Sequence, residues 1–189
     1  MTTVEESEFT ALVQRQSCFV FRVAYAVLLN AHDAEDAVQE TFLKLYHNRG
    51  WQRLSNERAF LARVAWRIAV DRRPRSPQAA APSYEPGADS TLTAGPPSPD
   101  PDPEETLILA NQHVLIHAMI DALPEELRLP IVLSTSDELN SREIGAILGL
   151  PEGTVRTRLQ RARQLLRQKL TTLESTSLHN LRAQEAPYA

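Results

Sequence analysis

Six basic side chains and no acidic one lie between Thr154 and Leu170. Val155, Leu159, Ala162 and Leu166 recur there at helical spacing and form one apolar stripe. Arg156, Thr157, Gln160, Arg161, Arg163 and Arg167 are left for the other faces. Such side chains can hold and read duplex DNA. Arginine contacts guanine edges bidentately, glutamine pairs with adenine, and further arginines neutralise phosphate. A solvated basic face, or a helix for an acidic protein partner, would share this composition. What precedes the tract favours DNA. Asn140, with Glu143 three residues on, has the capping-box spacing of a helix start. That short helix runs to Leu148 and is followed by the tight joint Gly149-Leu150-Pro151. A short helix, a glycine turn and a longer basic helix make a helix-turn-helix, which seats its second helix in the major groove.

A second basic tract runs from Arg49 to Arg75. It carries Arg49, Arg53, Arg58, Arg63, Arg67, Arg72, Arg73 and Arg75 against Glu57 and Asp71. Trp51, Phe60 and Trp66 are interleaved. Rings on which bases stack, beside arginines that follow phosphates, are what a single-stranded nucleic acid needs. The plainer alternative makes the rings core residues of a small domain, and spacing favours that for Phe60. A third cluster is acidic: Asp33, Glu35, Asp36 and Glu40. Taken alone, carboxylates beside a helix start complement the helix dipole.

Enzyme chemistry has little to stand on. His113 and His117 are four apart on a predicted helix, but residue 114 is Val and no third metal ligand is evident. Neither a glycine-rich phosphate loop nor a nucleophile elbow is present. The single cysteine, Cys18, sits in an apolar helical run and reads as a small core residue. One cysteine excludes an internal disulfide framework and a zinc ribbon. The acidic start lacks the layout of a signal peptide, and the apolar run Val23 to Leu29 is too short to span a bilayer. The expectation is a cytoplasmic protein without membrane insertion, metal or cofactor. A formal net charge of -4 over 189 residues argues against nucleic acid only on average, because the basic residues are clustered.

The elements that must position these residues are helical, since aromatics are only 6% of the chain and the apolar periodicity is near 3.6. Phe9 to Leu28 gives one broad stripe, with Thr3 and Glu6 at capping spacing before it. A second helix is expected from Asp33 as N-cap to just before Gly50, with Glu40 and Lys44 as an i,i+4 pair. A third runs from about Asn56 to Arg73 and stops at Pro74. Further on, helices are expected over Leu107 to Ala122, Pro124 to Ser134, Asn140 to Leu148 and Pro151 to about Leu173. Nine of the 13 prolines fall between Pro74 and Pro103. That stretch is too poor in large apolar groups to offset its ordering entropy and reads as a flexible linker. The expected organisation is all-α: a domain over residues 1–75, a linker over 76–103, a helix-turn-helix domain over 104–173, and a tail over 174–189.

Three segments resemble one family, in the family's order. Asp33 to Tyr46 is similar to the core-binding helix of bacterial extracytoplasmic-function (ECF) sigma factors. Ala59 to Arg73 is similar to their promoter-melting helix, and Arg142 to Arg163 to their second DNA-binding domain. The resemblance implies a protein that is not an enzyme and needs no cofactor. It binds core RNA polymerase and directs it to promoter DNA. It implies that Asp36, Gln39, Glu40 and Phe42 contact polymerase. It assigns Arg49, Trp51, Arg53, Asn56, Arg63, Trp66, Arg67 and Arg72 to the minus-ten element, where a base is flipped from the stack. Arg156, Thr157, Gln160, Arg161 and Arg163 fall to the minus-thirty-five element. An anti-sigma factor is a further partner common in the family.

The chain departs from the family pattern in three places. Trp66-Arg67 stands where the family usually has Arg-Asn, so charge replaces a base-bonding amide. Ser134 to Leu139 lacks the usual aromatic-containing stretch. The tail after Thr172 has no counterpart; its leucines suit a short amphipathic helix or a disordered end. Two other readings stay open on the residues: a helix-turn-helix regulator that never touches polymerase, and a metal enzyme built on His113 and His117.

Overall fold

The computed structural model describes residues 3–48, 56–73, 114–135 and 139–184. Every regular element among them is an α-helix: α1 (Thr3–Leu28), α2 (Ala31–Asn48), α3 (Glu57–Arg72), α4 (residues 114–121), α5 (Glu125–Ser134), α6 (Ser141–Leu148) and α7 (Glu152–Gln184). The expected linker, and residues 107–113 of the expected fourth helix, lie outside the described residues.

The first three helices pack pairwise on one another. Their core is built from small residues as much as large ones. Ala24, Ala34, Ala37, Ala62, Ala65 and Ala69 are fully buried beside Val20, Val23 and Leu61. Alanine at the contact lets helix axes approach closely. Thr41 is also fully buried, and its Oγ1 donates to Ala37 O at 2.7 Å, so no polar atom is orphaned. The joint between α1 and α2 is tight. Leu29 takes a left-handed φ of 53°, and its N–H donates to Tyr25 O. Asn30 then caps α2 by accepting from Asp33 N at 3.0 Å. The cap is thus Asn30, and Asp33 lies inside the first turn. The short αL corner leaves no room for two further residues before the helix.

The helix-turn-helix forms as expected. Asn140 Oδ1 accepts from the backbone N–H groups of Arg142 and Glu143, and Glu143 Oε2 accepts from Asn140 N. Gly149 ends α6 at φ 68°, a left-handed cap that glycine adopts without steric cost. Leu150 N donates back to Gly145 O at 2.9 Å, closing a Schellman-type turn. α7 then runs to Gln184, beyond the Leu173 end expected, so residues 174–184 continue the helix. Pro124 occupies the N-cap position of α5, one residue before the first helical position expected for it.

α5 lies between the two halves. It packs on α1, on α6 and on α7. Leu127 to Leu133 are all buried, which is the pattern of a helix covered on every side. One buried cluster therefore runs from Leu12 and Val20 through Leu127 and Leu133 to Val155 and Ala162. Arg128 is enclosed with it at 7% exposure. Its guanidinium donates to Ala26 O at 3.3 Å and to Leu123 O at 2.9 Å. Ala26 belongs to the last turn of α1, whose carbonyls lack intrahelical partners and which has no basic residue of its own. Arg128 supplies that cation from the other half. Burial pushes its guanidinium below the ordinary arginine value, and its Nε finds no acceptor.

Gly145 is required by approach rather than by φ. A Cβ there would lie 2.6 Å from Leu150 O, a backbone atom that cannot swing aside. We expect Gly145→Ala to destabilise the helix-turn-helix by about 1–3 kcal/mol. Gly153→Ala, where a Cβ meets open space, should not. Thermal unfolding of both variants, followed by circular dichroism, checks this; equal melting temperatures would refute it.

Candidate nucleic-acid interface

On α7 the structure brings the predicted residues together. Arg156, Thr157, Gln160, Arg161 and Arg163 are all exposed. Arg156, Gln160 and Arg163 share one face at i, i+4 and i+7, with Thr157 and Arg161 beside them. The stripe beneath is anchored by Val155, Leu159 and Ala162 in the core, with Leu166 packed on it. Thr157 Oγ1 donates to Gly153 O, and Arg156 pairs with Glu152 one turn earlier. A shallow groove of about 390 Å³ is lined by Gly153, Thr154, Thr157, Arg158 and Arg161, with Glu126 and Leu127 of α5. A basic helix face beside a concavity can take a phosphate backbone and present side chains to base edges.

The second basic tract is divided. Arg49, Trp51 and Arg53 lie outside the described residues. Asn56 caps α3, its Oδ1 accepting from Ala59 N at 2.9 Å while Nδ2 donates to Glu143 Oε1 at 3.0 Å. Arg63 donates to Ala146 O at 3.3 Å. Trp66 is half-buried and, with Leu129, Pro130, Leu148 and Leu150, lines a cleft of about 480 Å³ between the halves. Arg67 is exposed. Phe60, expected in the core from its spacing, is 38% exposed. The buried side of α3 is made by Leu61, Ala62, Ala65, Ile68 and Ala69, and Phe60 falls outside that arc. It lines up instead with Arg63, Arg67 and Val70 at i+3, i+7 and i+10, all exposed. A ring between arginines on one helix face is the arrangement a strand of bases stacks on, and the exposed edge of the apolar arc was the signal for it. Arg58 serves the fold instead. It donates to Gln16 Oε1 at 3.3 Å and sits 5.5 Å from the Phe19 ring centroid. Cys18, expected in the core, is half-buried.

The acidic face on α2 is tied to α3. Arg72 donates through Nε to Glu40 Oε2 at 2.9 Å and through Nη1 to Asp36 Oδ2 at 3.2 Å. Lys44 Nζ lies 2.8 Å from Glu40 Oε1, the expected i,i+4 pair. Both oxygens of Glu40 are therefore engaged. Lys44 and then Arg72 hold its carboxyl below the usual carboxylate range, and Glu40 in turn raises Arg72. Gln39 is exposed. Phe42, predicted to contact polymerase, is 7% exposed and belongs to the core. Its position puts it on the apolar side of α2 with Ala34, Ala37, Thr41 and Leu45, so it supports the acidic face from behind. Sequence reading missed the Arg72 clamp, because 32 to 36 residues separate the partners.

His113 is outside the described residues, and no group of three potential metal ligands gathers among those described. No described helix is long and apolar enough to cross a membrane.

The clamp carries a pH dependence. A carboxylate depressed on folding stabilises the fold fully above its unfolded value, near 4.5, and loses that effect as pH falls through its folded value. The melting-temperature gap between the native chain and Glu40→Gln should be constant from pH 7 to 5 and shrink below 4.5. A gap that widens on acidification would contradict the clamp.

Comparison with known proteins follows the same division of the chain. Residues 12–76 match the family model for Sigma-70 region 2, and residues 113–166 that for Sigma-70, region 4. The ECF RNA polymerase sigma factor SigE of Mycolicibacterium smegmatis is 34% identical over 162 residues, covering 84% of this chain and 60% of that protein. SigW of Bacillus subtilis is 31% identical over 172 residues, covering 89% of this chain and 92% of that one. Among solved structures, the sigma factor RpoE of Bartonella quintana, bound to the anti-sigma factor NepR, shares 21% identity. Its TM-score is 0.58, over 87% of this chain and 97% of that one. CnrH, in complex with the cytosolic domain of CnrY, gives a TM-score of 0.54 at 21% identity, over 88% of this chain and 90% of that one. With both family regions in order and a relative matched over nine-tenths of its length, the chain belongs to the ECF RNA polymerase sigma factors.

Proposed function

We propose that this chain is an alternative sigma factor, which lends promoter recognition and strand opening to core RNA polymerase and performs no covalent chemistry of its own. The observation that carries the reading is the presence, on one chain, of two separate basic faces and one acidic face. The exposed face of α7 reads the minus-thirty-five element as duplex. The Phe60–Arg63–Arg67 stripe of α3, with Asn56, Trp66, Arg72 and the residues Arg49, Trp51 and Arg53 before it, takes the opened minus-ten strand. Unstacking a base costs a few kcal/mol, which ring stacking and arginine–phosphate contacts offset. Asp36, Gln39 and Glu40 meet a basic surface of polymerase, where charge complementarity sets orientation and on-rate. Residues 1–75 and 104–173 form the two functional domains, and the segment between them lets both reach their elements at high effective concentration. The chain works in the cytoplasm, where polymerase is. An anti-sigma factor is proposed as its regulator, by analogy with the complex of RpoE and NepR.

The test separates the roles. Arg161→Ala should weaken binding of holoenzyme to a minus-thirty-five duplex by about 1–3 kcal/mol, roughly 5- to 160-fold, and leave co-elution with core polymerase intact. Asp36→Lys with Glu40→Lys should abolish co-elution and leave duplex binding by the free chain unchanged. Arg72→Gln controls for loss of the clamp and should keep co-elution. Run-off transcription from genomic fragments then identifies the promoters. Duplex binding without any co-elution would favour a regulator that acts alone, and identical behaviour of the Arg161 and double-lysine variants would refute the assignment of faces.

A further inference from the structure

Glu152 is the one carboxylate on the basic length of α7. From Glu152 to Leu173 the helix carries Arg156, Arg158, Arg161, Arg163, Arg167 and Lys169, and no second acidic residue. Glu152 falls in the first turn, the part of a recognition helix that meets base edges in the major groove. Steps of four back from Gln160 and Arg156 reach it, so it continues the face that Arg156, Gln160 and Arg163 share. Its Oε1 accepts from Arg156 Nη2. Among the described residues, no other arginine of α7 is paired with a carboxylate.

Support of the helix by an i,i+4 pair is the simplest use of this contact, and exposed pairs of that kind contribute little. The placement offers more. The side chains of Arg156 and Glu152 are 71% and 41% exposed, so both heads stand clear of the core. Gly153 beside them has no side chain, and a Cβ there would meet nothing within 4 Å. The first turn can therefore approach a groove closely.

The chemistry of the two heads is complementary. An ionised carboxylate only accepts hydrogen bonds. In the major groove guanine presents the acceptors N7 and O6, thymine presents O4, and adenine sets N7 beside its amine. Cytosine alone presents a donor, its N4 amine, with no acceptor of its own next to it. Arg156 has the opposite need, and its fork suits guanine O6 and N7. One helical turn is about 5.4 Å, and base pairs lie about 3.4 Å apart, so neighbouring pairs are within their joint reach. A fork already held by Glu152 also loses less freedom when it docks.

We infer that Glu152 is a specificity-determining residue of the minus-thirty-five face. It accepts from the N4 amine of a cytosine and orients Arg156 towards the guanine of a neighbouring pair. This rests on the sigma reading above and deepens its duplex-binding face. The carboxylate also offsets one charge that would otherwise follow phosphate, so arbitrary duplex is held less tightly.

Holoenzyme made with the full chain tests it, by selection from a promoter duplex randomised over the minus-thirty-five element. The native chain should enrich cytosine at one position. Glu152→Gln should move that preference to adenine, because a carboxamide pairs with adenine N6 and N7. Glu152→Ala should leave the position indifferent, and in both variants cytosine should lose at least about fivefold. For the free chain on a non-promoter duplex, Glu152→Ala should steepen the fall of log affinity with log salt by about one. Glu126→Gln removes a charge of α5 next to the groove along α7 and should leave the selected bases unchanged. An unchanged cytosine preference in both Glu152 variants overturns the inference, even if their melting temperatures fall. So does the same change of selected base in Glu126→Gln. Arg161→Ala tells the failures apart. If it alters the selected sequence while the Glu152 variants do not, only the role of Glu152 falls. If it too selects the native sequence, α7 does not read the element, and the sigma reading of that face falls with the inference.

Discussion

Burial of α5 on all sides is the constraint from which the rest of the arrangement follows. A ten-residue helix carrying Leu127, Leu129, Ile131, Val132 and Leu133 exposes too much apolar surface for one neighbour to cover. α7 and α6 take two sides, and α1 of the first half takes another. Apolar burial is non-directional and roughly proportional to area. It fixes that the halves meet, but not in what register. Register comes from the polar links at the rim, above all Arg73 with Glu125, where a planar fork meets a carboxylate in one geometry. Glu125 sits below the usual carboxylate range because of that arginine. Arg128 sets the central point. Its two bonds to Ala26 and Leu123 carbonyls stitch the end of α1 to the start of α5. The cost is a desolvated cation with one unpaired N–H, of order 1–3 kcal/mol. A hydrophobic isostere there would cement the joint, whereas the arginine leaves it easier to separate.

The acidic face shows how one residue couples two surfaces. Arg72 belongs by position to the DNA-facing helix, yet its guanidinium lies across Asp36 and Glu40 of α2. Any partner that claims those carboxylates competes with Arg72, and frees it. Any phosphate that claims Arg72 frees the carboxylates. The exchange needs no movement of helices, because the side chains are long and partly exposed, with Asp36 at 44% and Arg72 at 35%. In high-dielectric surroundings each such pair is worth little, so the exchange is close to even. If the proposed faces are right, polymerase contact and strand contact support each other through one guanidinium.

Local features were legible in the sequence and tertiary ones were not. The capping box of α6, the glycine turn and the basic face of α7 are written in residues within a few positions of one another, and all formed as read. Helix ends fell close to expectation with two exceptions: α7 runs to Gln184 instead of Leu173, and Asn30 won over Asp33 as a cap because Leu29 could adopt the left-handed corner. Phe60 was expected in the core from its spacing and is exposed, whereas Phe42, given to polymerase by the family resemblance, is buried. Helical spacing shows which residues share a face. It does not show where the rim of the buried arc lies, and that depends on how close the neighbouring helices come. Alanines at six buried positions draw α1, α2 and α3 close, enough to swallow Phe42 but not to reach Phe60. The Arg72 clamp and the links between halves join residues 32 to 102 apart, beyond any periodicity. The apolar run Leu129 to Leu133 of α5 was a sequence hint of burial from every side, and it sat beside an expectation of two separate domains.

On the proposed reading, the two DNA faces meet different objects. A duplex is a stable object that a free helix-turn-helix can meet at any time, and its recognition costs the DNA little. An opened strand exists only once the duplex has been unwound, so on this reading the stacking surface finds its ligand only in the complex with polymerase. The exposed Phe60–Arg63–Arg67 stripe with Trp66 beside it suits any single strand, because base stacking and phosphate contact are indifferent to sequence. The bonds of Asn56 to Glu143 and of Arg63 to Ala146 O tie only the cap of α3 and one arginine of that stripe to α6. Phe60 and Arg67 stay exposed beside that joint, so the stripe keeps its ring and one of its two arginines for a strand without any change in the packing of the helices.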